Sequence, residues 1–280
     1  MKTAFIVLTY NRPDALLQVL QGLASQCGEQ HEVIIADDGS SRASVEAVQK
    51  GMPLFRCSVR HIWHPDTGFT ASRARNLAAG SSTADYLVFM DGDCVPGPRF
   101  VEAHAALAEP GFFLNGSRVL LSEKLTKLIL ANEVDLNNAR WNDWLRWRLT
   151  GDANKLVHLL HWLDAPFRED KVFHWKKIRS CNFGVWRRDF LRVNGFDESF
   201  QGWGHEDADI VLRLHNAGLQ RKNGFCATEV YHLWHRENSR DNEMANRHLV
   251  TERLHTGLVR AVKGVDDAFL ADNVSVTELN

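Results

Sequence analysis

The sequence predicts an α/β fold with a mostly parallel sheet, and three observations carry that reading. Short apolar, β-branched runs alternate with helical runs through about residue 110. Two of the apolar runs stop at Asp-rich turns, Asp37-Asp38-Gly39 and Asp91-Gly92-Asp93. The chain is 280 residues long, 44% hydrophobic and 24% charged, enough for one large domain or two closely packed ones.

The elements follow in order. Thr3–Thr9 is a buried strand, apolar and closed by the polar turn Tyr10-Asn11-Arg12-Pro13. That turn comes too early for a signal peptide. Pro13 suits the first turn of a helix, in which Ala15, Leu16, Val19, Leu20 and Leu23 recur at helical spacing. Glu32–Ala36 is a second strand, and the turn after it can open another helix. Arg60–Trp63 is a third strand, Thr70–Ala79 a helix and Tyr86–Met90 a further buried strand. Ser122–Trp147 reads as mostly helical, with Trp141, Trp144, Leu145 and Arg148 on one face. Ile210 to Leu219 continues a helix, residues 243–263 form another, and the polar last dozen residues fray.

Charge and cysteine usage exclude several classes. Thirty-three Lys+Arg against 35 Asp+Glu leave a net charge of -2, which gives no field for nucleic acid. No run approaches the ~18 apolar residues of a membrane span. Five dispersed cysteines without a C-x-x-C indicate reduced thiols in a cytoplasmic protein. No Walker loop, G-x-G-x-x-G or G-x-S-x-G occurs. Residues 140–188 hold eleven basic residues and five acids, hence a local charge of +6. They form either a solvated helical face or a surface for anionic lipid or a charged acceptor, with Trp at the interface.

Four clusters carry chemistry. Ligands of open α/β sheets bind outside the carboxyl ends of strands, so Asp37-Asp38 and Asp91/Asp93 should face one crevice. An Asp-x-Asp there offers hard oxygens to a divalent cation, which can neutralise a diphosphate. Alone it is also an ordinary turn. Gly202-Trp203-Gly204-His205-Glu206-Asp207 joins a movable backbone, a ring on which a sugar stacks and two carboxylates able to act as general base. Acids at a helix start have the alternative role of favouring its dipole. His232 and His235 are spaced to share a metal, and imidazole beside carboxylate favours Mn²⁺ over Mg²⁺.

In combination these residues resemble the GT-A glycosyltransferases, and within them family 2. The first half of the resemblance lies in Phe5–Pro13, Ile34–Ser40, Ala74-Arg75-Asn76 and Phe89–Asp93. Asn182–Val185, Asn194–Asp197 and Gly202–Asp207 are similar to the C-terminal region of β-1,4-galactosyltransferases and to bacterial chondroitin-polymerase modules. The resemblance covers roughly residues 3–110 and 180–240. It implies a GT-A fold: a Rossmann-like nucleotide-binding sheet flanked by helices, with a helical insertion and a C-terminal acceptor-binding region. The implied division is 1–115 for the nucleotide sugar, 116–180 for the insertion, 181–242 for acceptor and metal, and 243–280 for a helix and tail.

The resemblance also implies roles. Thr9, Asn11 and Arg12 line the nucleotide pocket, and Asp38 reads the uracil, with Asp37 the alternative. Arg75, or Arg73, lies near the diphosphate. Asp91, with Gly92 beside it, faces the ribose or the metal. Asp93 and His235 hold the metal, and His232 stands where the animal galactosyltransferases have Met. Asp207 is the catalytic base, and Glu206 beside it contacts the sugars. Trp203, with Gly204 and His205, closes over donor and acceptor. The implied enzyme is inverting and uses Mn²⁺, with Mg²⁺ as the alternative. It moves galactose, GalNAc or GlcNAc from UDP to a glycan or glycolipid of a surface polysaccharide or lipopolysaccharide. Its place is the cytoplasm or the inner face of the membrane. A non-catalytic sugar-binding or scaffold protein is the competing reading, which Glu206-Asp207 disfavours.

Overall fold

The computed structural model describes residues 1–170, 172–175, 178, 180–236, 242–268 and 273–279. Lys171, Lys176, Lys177 and Arg179 of the basic segment lie outside them. The first elements are β1 (Thr3–Thr9), α1 (Pro13–Ala24), β2 (His31–Asp37), α2 (Arg42–Gly51), β3 (Ser58–Trp63), α3 (Ala71–Ser81) and β4 (Tyr86–Asp91). Every residue of β2 is buried, and β1 and β4 are nearly so, as strands covered on both faces must be. β5 (Cys94–Pro96), α4 (Phe100–Leu107), β6 (Phe112–Asn115), β7 (Ser117–Leu120), α5 (Glu123–Leu130) and α6 (Trp141–Thr150) follow. Then come β8 (Glu169–Asp170), β9 (Asn182–Trp186), α7 (Arg187–Arg192), α8 (Glu206–Asn216), β10 (Gln220–Asn223) and β11 (Glu229–His232). α9 (Glu243–Arg253), α10 (Val265–Ala268) and β12 (Ser275–Glu278) complete the order.

A nine-stranded sheet runs β12-β3-β2-β1-β4-β9-β6-β10-β8, and a three-stranded sheet runs β5-β11-β7. Strands β3, β2, β1 and β4 are parallel, as the alternation predicts. β9 and β12 pair antiparallel, so the complete sheet is mixed. Register aligns Thr9 with Asp37, and Leu8 with Asp91. The two acidic turns therefore leave the sheet at one level, on the carboxyl side.

Five expectations are corrected. Residues 116–180 are not mostly helical: they open with β7 and contain β8. Leu125, Ile129, Trp144 and Trp147 of this stretch share one apolar cluster with Phe5 and Leu16. On α6 the inward pair is Trp144 and Trp147, while Trp141 and Leu145 are exposed. The reason is ring packing, Trp144 lying 4.6 Å from Tyr231 and 4.1 Å from His158. The helix expected over 243–263 ends at Arg253. Beyond it the backbone serves its neighbours instead, Ala261 N–H donating to Val193 and Glu198 N–H to Lys263. α8 likewise ends at Asn216, before Leu219, with Gly218 at φ +91. Finally, the polar tail does not fray as a whole, because Ser275–Glu278 pairs with β3 through main-chain bonds that polarity does not oppose.

Candidate active site

The β1–α1 and β2–α2 turns are tied together by Asn11. Its N–H donates to Ser40 Oγ at 2.8 Å, and its Oδ1 accepts from Ser41 N at 2.9 Å. Asn11 holds φ 49, a conformation Asn tolerates better than most side chains. Thr9 is buried at the end of β1, and Arg12 pairs with Asp14 at 2.9 Å. Both acids of the second turn are buried and partnered. Asp37 meets His61 Nε2 at 2.8 Å and accepts from Ser40 N at 2.7 Å. Asp38 accepts from Thr70 N at 2.9 Å and Thr70 Oγ1 at 2.5 Å, with His64 Nε2 at 3.2 Å. His61, His64 and Thr70 are partners that no motif announced.

The Asp91-Gly92-Asp93 turn is shaped by close backbone approach. Gly92 N–H donates to Leu8 O at 2.6 Å, and a Cβ on Gly92 would lie 2.8 Å from that oxygen. The chain then enters β5, which pairs antiparallel with β11 and sets Cys94 opposite His232. This pairing brings Asp93, His232 and His235 together across more than a hundred residues. Asp93 lies 3.3 Å from His235 Nε2 and 3.8 Å from His232 Nε2. Cys94 shares the group with Asp93 and His232 through its Sγ, a member the spacing did not suggest. Burial holds His232 below its ordinary pKa against the pull of Asp93, so its imidazole is neutral and keeps a lone pair for a metal. A carboxylate and two imidazoles can hold a divalent cation, and the nitrogen donors favour Mn²⁺ over Mg²⁺.

The Glu206-Asp207 pair opens α8. Gly202, Gly204 and His205 all take positive φ (71, 107 and 71), and this left-handed run delivers the chain into the helix. Trp203 is exposed on that turn, and burial lowers the pKa of His205. Arg75, only 3% exposed, joins the two halves of the site. Its Nη2 donates to Asp91 at 2.9 Å and its Nη1 to Glu206 at 3.4 Å, with Phe196 beneath at 5.3 Å. Burial alone would weaken its charge, but Asp91 and Glu206 more than offset that. Asp207 is partly exposed, accepting from Ala208 N at 2.9 Å and Ser180 N at 3.3 Å. Burial and the neighbouring Glu206 push its carboxyl up to about 7, against the opposing pull of Arg75. Asp209, two residues on, is structural: it pairs with Arg213 at 2.7 Å and Arg253 at 2.6 Å inside the protein.

Arg73 takes a different position from Arg75. It lines a cleft of about 450 Å³ between the start of α3 and the segment that leads into Trp203, together with Thr70, Glu198, Gln201 and Gly202. Among the described residues, no hydrogen bond or ion pair joins Asp37 or Asp38 to Asp91, Asp93 or Glu206-Asp207.

Comparison with known proteins agrees with this arrangement. The validoxylamine A glucosyltransferase of Streptomyces hygroscopicus subsp. limoneus is 29% identical over 223 residues, covering 76% of this chain and 48% of the relative. The chondroitin synthase of Escherichia coli is 26% identical over 252 residues, covering 84% of this chain and 34% of the relative. The chain thus spans about half, or less, of the length of these curated relatives. Among solved structures, Staphylococcus aureus TarS 1–349 superposes with a TM-score of 0.60 at 15% identity, covering 96% of this chain and 68% of that one. The mannosyltransferase PcManGT of Pyrobaculum calidifontis, in complex with GDP-Man and Mn²⁺, gives 0.58 at 15% identity over 90% and 64%. These two likenesses show the GT-A fold. The profile described as N-terminal domain of galactosyltransferase matches residues 167–236. The profile Glycosyl transferase family 2 matches residues 4–146, more than half of the 280, and the chain belongs to that family.

Proposed function

We propose that this chain is an inverting, metal-dependent glycosyltransferase that moves a sugar from a UDP-sugar to a hydroxyl of a glycan or glycolipid acceptor in polysaccharide synthesis. One observation carries the reading. Arg75 holds Asp91 and Glu206 together at the mouth of the parallel strands, and Asp207 beside them has its carboxyl pushed up to about 7. Such a carboxyl is about half ionised at neutral pH and basic enough to take a proton.

Asp207 accepts the proton of the acceptor hydroxyl as its oxygen bonds to the anomeric carbon. The bond from that carbon to the nucleotide diphosphate breaks, and the configuration inverts. No second carboxylate is needed as nucleophile, unlike a retaining glycosidase. Glu206 contacts the sugars from the other side of Arg75. Asp93, His232 and His235 would hold the metal, with Asp91 beside them. Bound there, a divalent cation supplies charge stabilisation to the leaving diphosphate. Arg73, facing the open cleft, is better placed than the doubly paired Arg75 to meet the diphosphate, and Arg75 acts as the clamp. Thr9, Asn11, Arg12, Asp38 and Gly92 border the nucleotide, with Asp37 supporting Asp38 from the interior. Trp203, Gly204 and His205 face the acceptor. TarS complexes with UDP and with UDP-GlcNAc, and the Mn²⁺ of PcManGT, support the donor and metal by analogy of fold. Five free cysteines support the cytoplasmic side. Among the described residues no helix is long and apolar enough to cross a membrane, so membrane association is peripheral in this reading.

The test is a melting scan with UDP-, GDP-, dTDP- and CMP-sugars, each with Mn²⁺ and with EDTA. A ligand at ~100 times its Kd stabilises by about 2.7 kcal/mol. Stabilisation by one UDP-sugar that EDTA removes is expected, together with turnover of that donor on an oligosaccharide acceptor. Absence of any nucleotide-sugar effect overturns the reading.

A further inference from the structure

The outward face of α6 is apolar where a solvated helix would be polar. Trp141, Leu145 and Leu149 follow one another at i, i+4 and i+8 and are 69%, 40% and 79% exposed. At about 100° per residue they form a single stripe, with Arg148 bordering one side and Arg146 the other. The one acid of the helix, Asp143, faces away from the stripe and accepts from the Arg140 N–H at 3.0 Å. The stripe is held rigidly, because Trp144 and Trp147 on the opposite face are 2% and 6% exposed. In the segment that follows, His158 packs on Trp144 at 4.1 Å, and Leu160 and Trp162 are 66% and 49% exposed.

We propose that this face is a docking surface for an anionic lipid bilayer. Exposed large apolar side chains gathered in one place mark an interaction site. Indole rings and leucines flanked by arginines match the boundary between headgroups and acyl chains, and the arginines are complementary to anionic headgroups. The ten-residue helix is about 15 Å long, which suits lying in the interface and rules out spanning. The surface is also close to the chemistry: Trp144, beneath the stripe, lies 4.6 Å from Tyr231, the residue before His232. Docking would hold the chain at the membrane surface, where a lipid-borne acceptor is presented. Only the acceptor rests on the sugar-transfer reading; the docking does not.

Flotation with vesicles tests it on the whole chain. The protein is expected to float with phosphatidylcholine vesicles containing phosphatidylglycerol, to stay behind with phosphatidylcholine alone, and to be released by salt. The triple variant Trp141→Ser, Leu145→Ser, Leu149→Ser changes only exposed positions. It is expected to lose on the order of tenfold or more in vesicle partition, with its melting curve and nucleotide-sugar stabilisation unchanged. Equal partition of parent and variant overturns the proposal, as does absence of vesicle binding. A concentration-dependent dimer that the triple variant abolishes would give the face to a second copy, and would overturn it too. Vesicle binding without any nucleotide-sugar effect would leave the docking standing and sink the transferase reading alone.

Discussion

Replacing Asp207 by Asn is expected to stop sugar transfer and, above neutral pH, to stabilise the fold. In the native protein burial and Glu206 hold this carboxyl at about 7, against an ordinary value of 3.8. Between those two values the native state keeps a proton that the unfolded chain has released, so stability falls as pH rises through that window. At about 1.36 kcal/mol per pK unit the cost at pH 8 reaches at most about 4 kcal/mol. Asp207 is partly exposed, and solvent screening brings a realistic figure to on the order of 2 kcal/mol. Asn is isosteric and can still accept from the Ala208 N–H, losing at most the longer contact with Ser180. For a chain of this size that corresponds to a melting temperature higher by about 3–4 °C at pH 8, with little gain near pH 4. Turnover at saturating donor is expected to fall by about 10²–10⁴, as for removal of a general base. Parent turnover should rise with pH up to about 7 and level off above it, following ionisation of Asp207. Melting scans across pH, read beside turnover, check both sides. A variant that melts below its parent at pH 8, or parent turnover that is flat between about pH 6 and 8, would refute the reasoning.

Further outcomes follow from the same geometry. Arg75→Gln strands Asp91 and Glu206 and is expected to cost about 3–5 kcal/mol in denaturant unfolding. It also removes a cation that lowers Asp207, so the acid limb of the turnover profile should move to higher pH; an unmoved limb would deny Arg75 its clamping role. His235→Ala is expected to abolish the Mn²⁺-dependent part of UDP stabilisation and spare the metal-independent part. Retained metal dependence would remove His235 from the donor set. Trp144→Ala removes an indole that is 2% exposed and packed on Tyr231 and His158, and should cost about 3–5 kcal/mol by chemical unfolding.

The elements easiest to read from the sequence were those whose burial is two-sided. β1, β2 and β4 are continuous apolar runs because a parallel strand is covered on both faces, and their limits differ from expectation by a residue at most. Elements formed by main-chain pairing were harder. β12 is polar and exposed along its length, and nothing in its composition distinguishes it from a fraying tail. The segment after Arg253 has the apolar spacing of a helix, yet its backbone bonds to Val193 and Glu198. On α6 the apolar residues surround the helix, so spacing alone could not say which tryptophans point inward.

By itself the sequence determined the chemistry available to this protein: carboxylates at strand ends, the Glu206-Asp207 pair at a helix start, and two histidines three residues apart. These are local patterns, and local turn and helix geometry generates them. Only the tertiary structure decided how they combine. Antiparallel pairing of β5 with β11 sets His232 and His235 against Asp93, and the reach of Arg75 couples Asp91 to Glu206. It also separated Asp209, tied to Arg213 and Arg253 in the interior, from Asp207, two residues away at the crevice. Which carboxylate is a base and which is a strut depends on desolvation and on the charge that faces it, and both come from residues far away in the chain.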